Sequence, residues 1–169
     1  WNLGQYLDRP RDYFDPAKVY TDGDTYIIHY KIFVNEQPPR LPLDHTGALQ
    51  NSFRFWEEQE LTSGNDGKKV IVKFVTTDLR SDASAWATWV VRDMGEGVLG
   101  HANIGRGIVE VAIGGYGCDG SFQLFTVDTV ETIMTHELGH ALGLRHSDDP
   151  DNIMYPTMKE VEYSYCLLS

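Results

Sequence analysis

The sequence feature that most constrains this chain is the run HELGHALGLRH at residues 136–146, which holds three of its six histidines. On a helix, His136 and His140 lie one turn apart and project from the same face, so both imidazoles can bind one ion. Gly143 tolerates positive φ, so the backbone can leave the helix sharply and bring His146 round as a third ligand. Three neutral nitrogen ligands leave a fourth tetrahedral position open, as in catalytic zinc sites. The run therefore predicts one catalytic zinc ion.

Glu137 follows the first of these histidines and would point to the edge of the site without coordinating the metal. Zinc lowers the pKa of a bound water molecule from about 15.7 to about 7 and polarises a carbonyl group. A carboxylate beside that water can take its proton as general base and deliver it to a leaving amine. The residues present in the run are therefore sufficient for peptide hydrolysis by metal-activated water, with Glu137 as general base.

Apolar alternation predicts several strands upstream of this run. Strands are expected at residues 25–34 and 68–76, and two short ones within 97–104 and 107–115. Residues 77–95 contain two tryptophans in a polar setting and are predicted to form a loop.

Helical spacing of apolar residues predicts two helices. The first covers about 43–60 and the second about 127–142, with Thr126 or Asp128 as its N-cap and Gly143 ending it. The tail after the second helix is predicted to be irregular. This order of elements predicts a single α+β (mixed α/β) domain over residues 1–169, with an upper part to about residue 143 and a lower part from 144 to 169.

Composition excludes some classes of protein. The formal net charge of −11 argues against nucleic acid as a partner, because phosphates require basic patches. No apolar run approaches the roughly 20 residues of a membrane span. Because the chain begins at Trp1 without a methionine, we expect it to be processed or trimmed.

HELGHALGLRHS followed by DNIMYP resembles the metzincin metallopeptidases, and Ser147 after the third histidine resembles the matrixin branch, the matrix metalloproteinases. The resemblance implies a metzincin (zincin-like) fold with a twisted, mostly parallel sheet, an antiparallel edge strand, a backing helix and an active-site helix. It implies that Met154 forms an apolar Met-turn floor below the zinc and does not bind it. It also implies a secreted, extracellular endopeptidase, which we expect to be a monomer.

The resemblance further implies how an extended polypeptide substrate would bind. GVLGHANI is similar to the edge strand along which matrixins align substrate, so that the peptide adds to the sheet. The segment after Met154 is similar to the wall of the pocket for the side chain after the scissile bond. These implied residues are Val98, Leu99, Gly100, His101 and Ala102 for the edge strand, and Leu138, Tyr155, Pro156, Thr157 and Met158 for the pocket.

The chain departs from the matrixin pattern in its metal sites and its tail. Matrixins typically hold a second, structural zinc with three histidines and an aspartate, but His101 has no matching partners, so no second zinc is expected. Only fifteen residues follow Met154, where matrixins typically have a long third helix. Calcium could bind the acidic turns at 21–24 or 147–152, although these residue types also form turns.

The two cysteines leave two alternatives. Cys118 and Cys166 could form a disulfide in a secreted protein, or they could be two buried thiols.

Two other functions remain open at this stage. A non-catalytic zinc-binding or adhesion module could keep the fold, although such a site commonly loses the base that this chain retains as Glu137. A metal-dependent hydrolase could also act on an amide other than a polypeptide.

Overall fold

The computed structural model describes residues 6–7, 19–35, 45–59, 61–63, 68–91, 98–102, 107–118, 121–158 and 161–166. Within these ranges the strands are β1 (Tyr6–Leu7), β2 (Val19–Asp22), β3 (Thr25–Val34), β4 (Leu61–Ser63), β5 (Lys69–Thr76), β6 (Ala85–Val90), β7 (Gly100–Ala102), β8 (Gly107–Ala112), β9 (Gly114–Cys118), β10 (Ser121–Phe125) and β11 (Tyr163–Cys166). The helices are α1 (Thr46–Glu57), a 3-10 turn (Arg80–Asp82) and α2 (Val127–Ala141).

Eight of the described strands form the main sheet, in the order β1-β4-β5-β3-β6-β8-β7, with β2 paired to β3. β5, β3, β6 and β8 run parallel to one another, and β7 pairs antiparallel with β8 at the end of this order. Alternation along β3 buries Ile28, Tyr30 and Ile32 completely, as its apolar pattern predicts. The predicted mostly parallel sheet with an antiparallel edge strand is confirmed.

The two α-helices pack together and against one face of this sheet. The indole Nε1 of Trp56 in α1 donates to the carbonyl of Thr135 in α2 at 2.8 Å. Phe53 of α1 stacks on Phe74 of β5 at 4.9 Å, and Tyr30 of β3 donates its hydroxyl to the Ala141 carbonyl of α2 at 3.1 Å. These contacts hold both helices against the sheet and against each other. α2 is the predicted active-site helix, and α1 is the predicted backing helix.

Several regions differ from the sequence prediction: β2, β4 and β10 were not predicted, and the strand expected within 107–115 is divided between β8 and β9. Two further differences concern β6 and the tail. Residues 85–90, predicted as part of a loop, form β6, which pairs with β3 on one side and β8 on the other. The Trp, Thr and Val residues of AWATWV are favoured in strands. However, Ala85 and Ala87 on its buried side do not give the alternation of large apolar residues that would have indicated a strand. The tail, predicted as irregular, contributes β11 to a second sheet of order β11-β10-β9.

The helix ends follow local chemistry. The side chain of Thr126 accepts a hydrogen bond from the backbone N–H of Thr129 at 3.2 Å, so Thr126 and not Asp128 is the N-cap of α2. α1 spans residues 46–57, shorter than the predicted 43–60, of which 43, 44 and 60 lie outside the described residues. None of the helices that the structure describes is both long and apolar enough to cross a membrane.

Candidate functional site

α2 and the chain that follows it bring the three predicted histidines together. His136 and His140 lie one turn apart on α2, and Gly143, with φ of 102°, reverses the backbone so that His146 returns to the same face. The ring centroids are 4.7 to 5.4 Å apart. One ligand nitrogen from each ring lies within 4.8 Å of the other two, close enough for the three to surround a single ion.

Two backbone carbonyl groups fix how these rings present their nitrogens. Nδ1 of His136 is 2.7 Å from the carbonyl oxygen of Ile153, and Nδ1 of His140 is 2.8 Å from that of Leu144. A carbonyl oxygen can only accept, so Nδ1 donates in both pairs and Nε2 keeps its lone pair. This is the orientation that histidine ligands of metals usually have.

Burial favours the neutral form of His136 and His140. Burial, partly offset by the bond to Ile153 and reinforced by the neighbouring histidines, lowers the pKa of His136 to about 4. Burial is also the largest cause that lowers the pKa of His140. Three imidazoles, two of them oriented by backbone carbonyl groups, fit Zn²⁺, which accepts such ligands with a fourth position left open.

Glu137 lies beside these rings and outside the group of three that could hold an ion. Its side chain is 6% exposed, and burial raises the pKa of its carboxyl from 4.5 to about 7. Its carboxylate reaches the edge strand, where the backbone of Gly100 is its close neighbour. A carboxyl group with this pKa can accept a proton near neutral pH.

Met154 lies directly under the histidine helix. It is fully buried, and its Sδ lies 2.3 Å from where a Cβ atom at Gly139 would be. Its carbonyl accepts from Ser147 N–H at 2.9 Å, and its N–H donates to Asn152 Oδ1 at 2.8 Å. The bond between Ser147 and Met154 closes residues 147–154 into a loop. In this loop the Ile153 carbonyl holds His136, and the Met154 side chain lies against the helix.

An open cleft of about 880 Å³ runs past the histidines and Glu137. Its walls come from the start of the edge strand, from α2 and from the segment after His146. Besides His136, Glu137 and His146, the lining residues are Val98, Leu99, Gly100, Thr132, Ile133, Pro150, Asp151, Asn152, Ile153, Tyr155, Pro156, Thr157, Met158 and Val161.

The structure places most, but not all, of the predicted substrate residues along this cleft. Tyr155 to Met158 line it, and so do residues 98–100. Leu138 does not, which corrects its assignment to the pocket: it is fully buried in the core, because each helical residue is rotated by about 100° from the one before it. His101 and Ala102 lie in β7 beyond the lining residues, and His101 is exposed.

Several lining residues were missed from the sequence. Thr132 and Ile133 precede His136 by four and three residues, so helical spacing alone could have placed them on its face. Val161 had no comparable signal, since only the packing of the tail brings it to the cleft. Asn152 stands in the quoted DNIMYP run, but its bond to the Met154 N–H becomes visible only in the folded loop.

The two cysteines lie in the second sheet. Cys118 is in β9, opposite Ser121 of β10, and Cys166 is in β11, opposite Gln123 of β10. β10 therefore separates the two backbones, while their side chains lie outside what the structure describes. The disulfide stays a prediction.

Comparisons with known proteins point to one family. A family model described as matrixin matches residues 24–168. Matrilysin from Felis catus is 76% identical over 25 residues, which are 15% of this chain and 10% of that protein. Matrix metalloproteinase-20 from Homo sapiens is 58% identical over 38 residues, 22% of this chain and 7% of that protein.

A longer match covers most of this chain. Macrophage metalloelastase from Oryctolagus cuniculus is 29% identical over 157 residues, which cover 85% of this chain and 30% of that protein. The chain spans less than a third of the length of each of these three relatives.

Proposed function

The chain belongs to the matrixin family, and from that membership we propose that it is a zinc-dependent endopeptidase that hydrolyses peptide bonds of extended polypeptides. The observation that carries this proposal is the convergence of three imidazoles, two of them oriented by backbone carbonyl groups, beside a buried glutamate on the floor of an open cleft. Three imidazoles with no fourth protein ligand among the described residues suit a metal that must also accept a substrate.

His136, His140 and His146 would hold the zinc ion through Nε2 in the first two. Bound there, zinc would supply a Lewis acid that acidifies a water molecule and polarises the carbonyl of the peptide bond. The carbonyl groups of Ile153 and Leu144 keep two of the rings in the required tautomer. Met154 would serve as an apolar floor, because it is fully buried with its Sδ against Gly139 of the helix.

Glu137 would act as the general base. Its carboxylate takes a proton from the attacking water molecule and then delivers it to the leaving amine. Burial gives the carboxyl a raised pKa of about 7 in the metal-free protein, and a divalent cation nearby favours its ionised form. Burial raises the pKa of the carboxyl, and the cation would lower it. Because the two effects oppose each other, the carboxyl can exchange a proton near neutral pH.

The substrate would bind extended, adding to the sheet along residues 98–102, which include β7. β7 is the last strand in the order of the main sheet as far as it is described, which is where a peptide can add as a further strand. The side chain after the scissile bond would enter the part of the cleft lined by Ile133, Tyr155 and Met158. Because these walls are largely apolar, an apolar side chain is the expected occupant.

Cleavage of a peptide library, with and without a zinc chelator, tests the proposal beside Glu137→Ala. Removing a general base costs about 100- to 10,000-fold in rate, so we expect the variant to lose that much activity while it still binds zinc. Chelator should abolish cutting by the wild type. If zinc binds but the wild type cuts no peptide, a non-catalytic zinc module or a hydrolase of other amides replaces this proposal.

We further propose that the protein is secreted and acts as a monomer on polypeptides. Family membership supports secretion, and the net charge of −11 favours a soluble surface that resists self-association.

A further inference from the structure

Two of the residues that line the cleft carry a carboxyl group, Glu137 and Asp151. In the part of the chain that the structure describes, the lining includes no lysine or arginine; Arg145, next to His146 in the sequence, is exposed but does not line the cleft. Glu137 is buried and is accounted for as the proposed base. Asp151 is exposed, and its carboxyl group has no part in the proposed chemistry.

The backbone on both sides of Asp151 is held in place. Its own N–H donates to Oδ1 of Asp149 at 3.0 Å, and the N–H of Asn152 donates to the Asp149 carbonyl at 3.0 Å. Pro150, between the two aspartates, has a φ fixed by its ring. Asn152 is buried and accepts from the Met154 N–H, which ties this turn to the loop below the histidines. A carboxylate on a fixed backbone loses little freedom when it binds a ligand.

Asp151 belongs to the wall of the cleft that lies opposite the edge strand. Residues 98–100 form one side, and the segment that begins at Pro150 forms the other. Side chains of an extended peptide alternate in direction, so a peptide added to the edge strand would direct some of them across the cleft. The opposite wall also presents Tyr155 and Met158. The aliphatic stem of a lysine or arginine can lie along such apolar groups while its charged end reaches a carboxylate.

We propose that Asp151 is a specificity-determining residue, which makes the cleft favour polypeptides with a lysine or arginine close to the apolar residue that follows the cut. A cationic side chain there would form an ion pair with Asp151, whereas an acidic one would be repelled. This inference rests on the proposed function, because it names the substrate class of the same cleft. The whole molecule acts in the same direction: with a net charge of −11, its field attracts basic polypeptides and repels acidic ones.

A peptide series tests the charge preference. All its members keep one apolar residue after the cut, and lysine, norleucine or glutamate replaces one other residue at a time. An exposed ion pair is worth about two- to fivefold in binding. At one or more positions we therefore expect lysine to raise kcat/KM by about that factor over norleucine, and glutamate to lower it. The gain from lysine should shrink as salt is added, because ions screen exposed charges.

The Asp151→Asn variant removes the charge and keeps the size of the side chain, so it should abolish the gain from lysine. Asp148→Asn is the matched control, because Asp148 is exposed in the same loop but does not line the cleft; this variant should keep the gain. A wild type without a gain from lysine, a gain that survives in Asp151→Asn, or an equal loss in both variants would overturn the proposal.

Peptide binding separates this inference from the proposed function. Zinc-loaded Glu137→Ala protein would be titrated with fluorescent lysine and glutamate peptides, alone and combined with Asp151→Asn. We expect the lysine peptide to bind at least about two- to fivefold more tightly, and most of that difference to disappear in the double variant. If the wild type cuts no peptide, the proposed function fails while this comparison still tests Asp151. Equal binding of the two peptides to the Glu137→Ala protein would contradict the inference in either case.

Discussion

At the scale of single residues, the orientation of two histidine rings depends on backbone carbonyl groups that lie outside the helix. His136 is held by the carbonyl of Ile153, seventeen residues later, and His140 by that of Leu144, just after the helix ends. These bonds leave Nε2 of both rings unprotonated. The ligand set is therefore arranged for metal by backbone groups of the loop, in addition to the helix that carries two of the ligands.

The buried His136 and Glu137 make opposite contributions to the pH dependence of stability in the metal-free protein. His136 has a folded pKa of about 4 against an ordinary 6.5, so the folded state binds fewer protons between these values and loses stability as pH falls from 6.5 to 4. Glu137 has a folded pKa of about 7 against 4.5, so its contribution is present below pH 4.5 and lost as pH rises to 7.

These two contributions oppose each other between about pH 4.5 and 6.5. Replacing Glu137 with glutamine should therefore reveal the contribution of His136 to the pH dependence of stability. We expect the free energy of unfolding of the metal-free variant to rise with pH over this range more steeply than that of the wild type. Urea unfolding of both chelator-treated proteins at several pH values measures the difference. Parallel curves would show that the raised pKa assigned to Glu137 is wrong.

At the scale of elements, α2 and the loop that carries Met154 form one unit. Leu144 N–H donates to the Gly139 carbonyl at 3.0 Å, and Ser147 N–H donates to the Met154 carbonyl at 2.9 Å. The loop approaches the helix at Gly139, where a Cβ would lie 2.3 Å from Met154 Sδ and 2.8 Å from a ring carbon of Trp56. Gly139 is thus the point where the backing helix, the site helix and the loop meet.

Gly139→Ala should separate these elements. Overpacking of this kind costs about 1–3 kcal/mol, and because a displaced loop moves the Ile153 carbonyl away from His136, zinc affinity should fall as well. Gly47→Ala is the control, since a Cβ at that helical glycine would meet nothing within 4 Å. Thermal unfolding and competitive zinc titration would measure both effects. A Gly139→Ala protein as stable and as tightly metal-binding as the control would contradict the assignment.

At the scale of the whole molecule, the cleft exists because separate parts of the chain meet. The edge strand supplies residues 98–100, α2 supplies the histidine face, and the segment from Pro150 to Val161 supplies the opposite wall. The main sheet positions the edge strand, because β7 pairs with β8 beside α2. The tail positions the opposite wall, because β11 pairs with β10, which leads directly into α2.

The whole chain should bind one zinc ion. His101 is exposed on β7, and the sequence supplies none of the partners that a structural zinc would need around it. We expect a purified, dialysed protein to contain one zinc per chain by elemental analysis and to elute as a monomer. Two zinc ions per chain would show that residues outside the run 136–146 bind a second one.

Local sequence patterns predicted the elements that bury one regular face. The apolar alternation in β3 and β5 and the helical spacing in α2 are visible in the amino-acid sequence, because such periodicity follows directly from strand and helix geometry. β6 was missed because the small Ala85 and Ala87 on its buried side give no regular apolar alternation, although β6 pairs with strands on both sides. β11 was missed because its partner β10 lies about forty residues earlier.

The sequence by itself determined the family and the chemical group at the centre of the site: three histidines and a glutamate at spacings that only a helix and a glycine turn can use. These features are local, so the run 136–146 contains all the information they need. Only the tertiary structure decided that Leu138 belongs to the core, that Val161 reaches the cleft, and that Glu137 rests against Gly100. Such contacts join residues far apart in the chain, and their distances depend on how the elements pack.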